Sequence, residues 1–281
     1  MNIRDYPGYI DSQILSFIPK SEPLYSVLTD CMSYSLGSGG KRIRPVLCLE
    51  FARLSGAAPE DALPFACAVE FIHTYSLIHD DLPCMDNDAE RRGKPSAHIR
   101  YGEATALLAG DALLTHAFST IAGTPLPPER IAAAVNCLAS CAGVNGMIGG
   151  QVIDMYGETV CLGSDELFLQ DKLKCAALIT AACELGCIAA GNTDNIPAAR
   201  RYGLNMGTAF QVVDDILDAA EGDAGSDARS GKSTYVSLLG PEGAKSAAER
   251  YTSSALLALD ELDGDTDDLA ELTRALLIRN Y

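Results

Sequence analysis

Asp80, Asp81 and Asp86 stand just ahead of Arg91 and Arg92, and they close an apolar run containing Phe71, Ile72, Tyr75, Leu77 and Ile78. A helix this apolar belongs inside a fold. Carboxylates left unpaired at its buried end would cost several kcal/mol or be forced to protonate. A cation is therefore expected beside them, and clustered Asp oxygens next to two guanidinium groups suit Mg2+ holding a phosphate. A second acidic set, Asp214, Asp215 and Asp218, interrupts the apolar segment at 210–220. Asp214 and Asp218 share a helical face, one turn apart. A solvated stripe is the ordinary fate of Asp on a helix. Two such sets, each ending or interrupting an apolar helix, favour facing walls of one cation site.

Basic groups that could meet an anion there are also present. GGKRIRP (39–45) supplies Lys41, Arg42 and Arg44 where a helix starts, and the free N–H groups of a helix start favour anions. His73 lies two helical turns before Asp80 on the same face. Alone it reads as a hydrogen-bonded core histidine; beside an anion it serves as a donor. Gly149-Gly150-Gln151 with Asp154 closes one apolar helix in this reading. Lys174 precedes the apolar run 176–182 and either snorkels to water or points at a diphosphate.

The elements that must position these groups are helical. Period-two alternation is nearly absent, and Ala/Leu-rich segments of 3.6-residue character recur. The pattern predicts helices at about 22–36, 42–55, 60–81, 102–121, 128–148, 165–190, 197–219, 240–262 and 266–279. Breaks fall at GSGG (37–40), GTPLPP (123–128) and EGDAGSD (221–227). Pro128 and Pro197 sit where a first helical turn tolerates proline. With no repeat and no shift in composition, residues 1–281 read as a single domain. The expected fold class is all-α, a single large helical bundle.

The chain has 281 residues, nearly half of them apolar, and a formal net charge of −17. That charge argues against nucleic acid or an anionic membrane surface as partner. No run approaches the ~18 apolar residues of a bilayer span, and the first residues lack the pattern of a targeting segment. The ten cysteines are scattered through apolar segments without a CxxC pair, which suits buried thiols in a reducing compartment. A cytoplasmic protein without stable membrane insertion is expected.

Six segments together resemble the trans-type short-chain isoprenyl diphosphate synthases, bacterial farnesyl diphosphate synthases in particular, in matching order over essentially the whole chain. They are GGKRIRP (39–45), the stretch 73–98, LAGDALLTHAF (108–118), GGQVID (149–154), FQVVDDILD (210–218) and GKSTY (231–235). The resemblance implies an all-α polyprenyl synthetase homodimer, each subunit a bundle around one deep central cavity. It implies that Asp80 and Asp86, facing Asp214, hold Mg2+ bridging an allylic diphosphate. Asp81, Asp215 and Asp218 take weaker or water-mediated roles. Arg91 contacts the allylic diphosphate, whereas Lys41, Arg44, His73 and Arg92 bind isopentenyl diphosphate. Lys174 and Gln211 complete the allylic site near the developing carbocation.

The family's marker of product length is the residue five before the first Asp, here Tyr75, roughly 7–8 Å deeper along the helix. Its ring, next to the small Ser76, resembles a floor that stops growth at C15, so farnesyl diphosphate is the expected product and geranylgeranyl diphosphate the alternative. The chain departs from the family pattern at Cys175 and Ser96, each in place of a usual Thr. The loop after Asp218 is short and lacks a usual lysine, a place Lys232 could fill. The end keeps Arg279 without the basic last residue often found. A terpene cyclase would lack the binding set for a second diphosphate, and a non-catalytic regulatory subunit would usually lose one aspartate set.

Overall fold

The computed structural model describes residues 1–220 and 233–277. The chain runs α1 Tyr6–Gln13, α2 Ser26–Leu36, α3 Ile43–Leu54 and α4 Pro59–Asp80, then a minimal hairpin of β1 Glu90–Arg91 and β2 Lys94–Pro95. It continues through α5 Ala97–Tyr101, α6 Glu103–Ala122, α7 Pro128–Ala142, α8 Met147–Gly157 and α9 Ser164–Asp171. A π-helical turn, Lys172–Ala176, leads into α10 Ala177–Ala190, and α11 Ile196–Ala220, α12 Tyr235–Leu259 and α13 Asp267–Leu277 follow. The all-α bundle expected from periodicity is the fold observed.

α4 is its axis. Pro59 opens the helix, Glu60 and Asp61 complement the first-turn dipole, and residues from Ala62 to Ile78 are buried on every face. A helix without a polar side must be wrapped, and α3, α6 and α10 wrap it. α10 also lies along α3, where Gly186 brings the two backbones together. A Cβ at Gly186 would sit 2.3 Å from the Cys48 carbonyl oxygen and 2.7 Å from the Ala52 nitrogen. Gly186→Ala is therefore expected to cost about 1–3 kcal/mol through overpacking, read as a lower urea midpoint with helicity retained.

The structure redraws several boundaries. The expected helix 128–148 is two helices, α7 and α8, separated at 143–146. Gly149, Gly150 and Asp154 thus lie inside α8 rather than closing a helix. Gly150 is there for contact: its Cβ would meet the Lys174 nitrogen at 2.2 Å. The segment 165–190 is helical throughout but passes through the π turn, a feature that concentrates at functional sites. α12 begins at Tyr235, before the expected 240, and kinks at Gly240 (φ 72°) ahead of Pro241. α1 and α5, too short to carry a periodic signal, were not foreseen. Two helical stretches, 128–157 and 164–190, do reach the length and apolar composition of a membrane span, correcting the sequence expectation. The first is interrupted at 143–146 and the second is largely packed inside the bundle. The break at 221–227, Lys232 and Arg279 lie outside the described residues.

Candidate active site

The first aspartate set sits where α4 ends. Asp86 N–H donates to the Asp80 carbonyl at 2.9 Å, folding the loop back on the helix end. Asp81 is buried and accepts from Arg91, Nε at 2.9 Å. The hairpin fixes Arg91, and Arg92 beside it has left-handed backbone (φ 56°). Burial pushes the Asp80 carboxyl up to about 6, with Asp86 and Asp81 adding to the rise and Lys174 and Arg91 opposing it. Such a carboxylate gains from a further cation.

Beside it opens a cleft of about 680 Å³ whose lining includes Lys41, Arg44, His73, Arg91, Arg92, Gln211 and Asp214. These seven predicted residues come from α3, α4, the hairpin, α11 and the loop before α3, segments distant in sequence; Asp80, Asp86, Lys174, Tyr75 and Ser76 are not part of this lining. Arg42 plays a different part. It takes left-handed backbone (φ 51°) and turns inward to Asp11 at 2.8 Å, Glu70 at 2.6 Å and the Leu36 carbonyl at 2.5 Å. That buried pair locks the loop before α3. Arg42 borders the cleft together with Lys41 and Arg44, its donors directed to these three partners.

Arg44 Nε is buried and has no hydrogen-bond partner among the described residues, and burial lowers the Arg44 pKa. An orphaned guanidinium donor on a cleft wall is what an anion would satisfy. Burial, and then the guanidiniums of Arg44, Arg92, Arg42 and Arg91, hold His73 well below the usual imidazole value. It stands there neutral, able to donate without adding charge. Arg92 donates to the Gly39 carbonyl, and Gly40 leaves room for it: a Cβ at Gly40 would lie 2.7 Å from the guanidinium carbon. Lys41 Nζ sits 5.9 Å from the centre of the Phe210 ring.

The opposite wall comes from α11 and the π turn. Lys174 Nζ donates to Asp154 Oδ2 at 2.7 Å, and Gln170 Nε2 to Asp154 Oδ1 at 3.0 Å. Burial presses the ammonium down, but Asp154 and the nearby Asp80 outweigh it and the Lys174 pKa is raised. Lys174 is paired with Asp154 while its side chain stays 30% exposed. Cys175 Sγ donates to Gln211 Oε1 at 3.0 Å. Tyr75 is buried deeper along α4 with its hydroxyl unpartnered and its ring edge-on to His79 at 5.7 Å. Ser76 Oγ turns back to the His73 carbonyl at 2.9 Å. Asp86 is exposed at the rim.

The burial of three acids is not legible in the sequence. Glu70, Asp154 and Asp171 are buried acids inside or beside apolar helices, a placement that itself signals a hidden partner or a neutral carboxyl. Burial, then Asp215 and Asp154, push Asp171 up to about 8, and its Oδ2 lacks a partner. Because the folded value exceeds the unfolded one, the stability this group contributes is full below about 4 and lost as pH rises through about 8. Asp171→Asn should match the wild type in thermal midpoint near pH 4 and exceed it at pH 9.

Among the described residues no three His, Cys, Asp or Glu side chains converge closely enough to hold a metal ion alone. Asp80, Asp86 and Asp214 therefore do not form one ready-made group; Mg2+ is ordinarily bound through one or two carboxylates plus waters and phosphates. Asp80, Asp86 and Asp214 offer hard oxygen ligands of that kind.

The sequence model of the polyprenyl synthetase family matches residues 25–272. This chain belongs to the polyprenyl synthetase family. It is 44% identical to farnesyl diphosphate synthase of Micrococcus luteus over 285 residues, covering 99% of this chain and 97% of the relative. It is 42% identical to the heterodimeric geranylgeranyl pyrophosphate synthase large subunit 1 of Arabidopsis thaliana, covering 97% of this chain and 75% of the relative. Among solved structures, the geranyltransferase of Helicobacter pylori complexed with magnesium and isoprenyl diphosphate superposes with a TM-score of 0.85. It is 33% identical, and the match covers 98% of this chain and 95% of that one.

Proposed function

We propose that the protein is a trans-prenyltransferase that joins an allylic diphosphate, dimethylallyl or geranyl, to isopentenyl diphosphate and releases pyrophosphate, with farnesyl diphosphate as the product. The observation that carries this reading is the cleft in which Arg44, His73, Arg91 and Arg92 face Asp214. Its guanidinium groups suit diphosphate oxygens, and Asp214 among them suits a metal ion. Asp80, Asp86 and Asp214 would hold Mg2+, which when bound neutralises charge on a departing diphosphate.

The chain's own groups do the rest. Lys41, Arg44, neutral His73 and Arg92 bind isopentenyl diphosphate as donors, and Arg91, steadied by Asp81, binds the allylic partner. Lys174, held by Asp154, is positioned toward that leaving group. The allylic C–O bond breaks and its electron pair leaves with diphosphate. The isopentenyl double bond then supplies the electrons of the new C–C bond. The proton lost as the new double bond forms passes to the released diphosphate, so no protein base is needed. Ile179, Leu77 and Phe210 in the lining keep water from the cationic carbon.

The protein works in the cytoplasm as a homodimer in this reading. All ten cysteines are free thiols. Leu107 and Leu108 on α6 and Ile148, Val152 and Met155 on α8 are exposed apolar side chains suited to a second copy. The test is incubation with geranyl diphosphate, labelled isopentenyl diphosphate and Mg2+, followed by product sizing. A C15 product that disappears with EDTA and returns with added Mg2+ supports the proposal. C20 would move the product to geranylgeranyl diphosphate, and a folded dimer without condensation would indicate a regulatory subunit.

A further inference from the structure

We propose that Asp215 is a positioning residue that sets the polarity of the Gln211 amide, an inference that rests on reading the cleft as a prenyl-transfer site. Asp215 is buried on α11 directly beside Asp214, but it is engaged differently. Its Oδ1 accepts from Gln211 Nε2 at 3.0 Å. Its Oδ2 accepts from the backbone N–H of Tyr235, the first residue of α12, at 2.8 Å. Both oxygens are thus committed to donors of the protein's own helices, whereas Asp214 lines the cleft.

The chemistry of the pair leaves Gln211 one orientation. Gln211 turns its NH2 toward the accepting Asp215 and its carbonyl oxygen the other way. That oxygen lies on the side of Cys175, whose thiol donates to it at 3.0 Å, and both residues line the cleft. A carbonyl dipole with its negative end toward the allylic carbon stabilises positive charge as it develops, and a fixed dipole spends no energy turning at that moment. A thiol is a weaker donor than a hydroxyl, so Cys175 leaves more of the oxygen's electron density facing the cleft. Reversing the amide would point N–H groups at the cation instead. Asp215 prevents that reversal while its other oxygen ties α11 to the start of α12.

An inverted pair tests this. Gln211→Glu alone sets two carboxylates against each other, and Asp215→Asn alone removes the group that must accept. In the double variant Q211E/D215N, the Asn amide donates to the Glu while its oxygen accepts from Tyr235. An acceptor oxygen again faces the cleft. Each single variant should lose kcat on the order of 10²-fold, the scale of a misoriented group at a reacting centre. KM for isopentenyl diphosphate and the Mg2+ concentration at half-maximal rate should stay near wild type. The double variant should recover most of the loss, a large coupling in a double-mutant cycle. If the double variant regains thermal stability but no turnover, the bond is merely structural and the proposal fails. It fails equally if Asp215→Asn mainly raises the Mg2+ requirement, which would make Asp215 a metal ligand. A wild-type protein that makes no prenyl product in the same assay would instead overturn the reading of the cleft.

Discussion

Asp80→Asn is expected to lower turnover by at least about 10²- to 10³-fold, the scale seen when one electrostatic contact to a developing charge is removed, without unfolding the protein. Asp80 ends α4 beside Asp86, and burial has already pushed its carboxyl up to about 6. The sign for stability follows from that direction. A folded value above the unfolded one means the stabilising contribution is full at acid pH and lost as pH rises through about 6. At pH 8 the ligand-free protein therefore carries an unwelcome charge there, and the neutral Asn removes it. The thermal midpoint of the variant at pH 8, without Mg2+, should equal or exceed that of the wild type while single-turnover condensation collapses. Retained turnover at saturating Mg2+ would remove Asp80 from the set of metal ligands. A collapse of folding would show that α4 needs the charge for its own end.

Tyr75→Ala is expected to lengthen the product by at least one isoprene unit, from C15 to C20. Tyr75 lies five residues before Asp80 on α4, about 7–8 Å deeper at ~1.5 Å per residue, and its ring is almost wholly buried. If Tyr75 is the floor proposed above, removing it opens a void for the growing prenyl chain. The same deletion should cost about 3–5 kcal/mol, the usual price of an aromatic core truncation, so product sizing belongs below the shifted midpoint. Tyr75→Phe separates volume from polarity. It keeps the ring and deletes a buried hydroxyl without a partner; leaving such a group unsatisfied costs about 1–3 kcal/mol. The Phe variant should stay at C15 and melt at or above the wild-type temperature. An unchanged C15 product from Tyr75→Ala would mean that another side chain forms the floor.

The helices and both acidic sets were legible in the sequence because their signals are local. An apolar run that stops at paired aspartates is visible within a few turns, and α4 and α11 sit where that pattern puts them. Partnerships were not legible. Lys174 read equally as a surface lysine, because Asp154, its partner, lies 20 residues away on another helix. Arg42 and Arg44 look alike in GGKRIRP; only the left-handed backbone at 42 directs that guanidinium to Glu70, a pairing Arg44 Nε lacks among the described residues. The split between α7 and α8 was hidden because Gly149 and Gly150 drew the eye as a helix end. In the fold, Gly150 is a contact point inside α8 and the turn falls earlier, at 143–146. The roles of Lys174, Arg42 and Gly150 are each fixed by a neighbour distant in the chain.

The orphaned Nε of Arg44 and the charge-free imidazole next to it make the empty protein the poorer of its two states. A guest bearing phosphate oxygens meets a need created during folding, and occupancy at 100 times the dissociation constant adds about 2.7 kcal/mol to the occupied form. Supply of isoprenoid precursors thereby governs more than flux: a starved cell would hold this enzyme in its more perishable condition, and a well-fed one would preserve it.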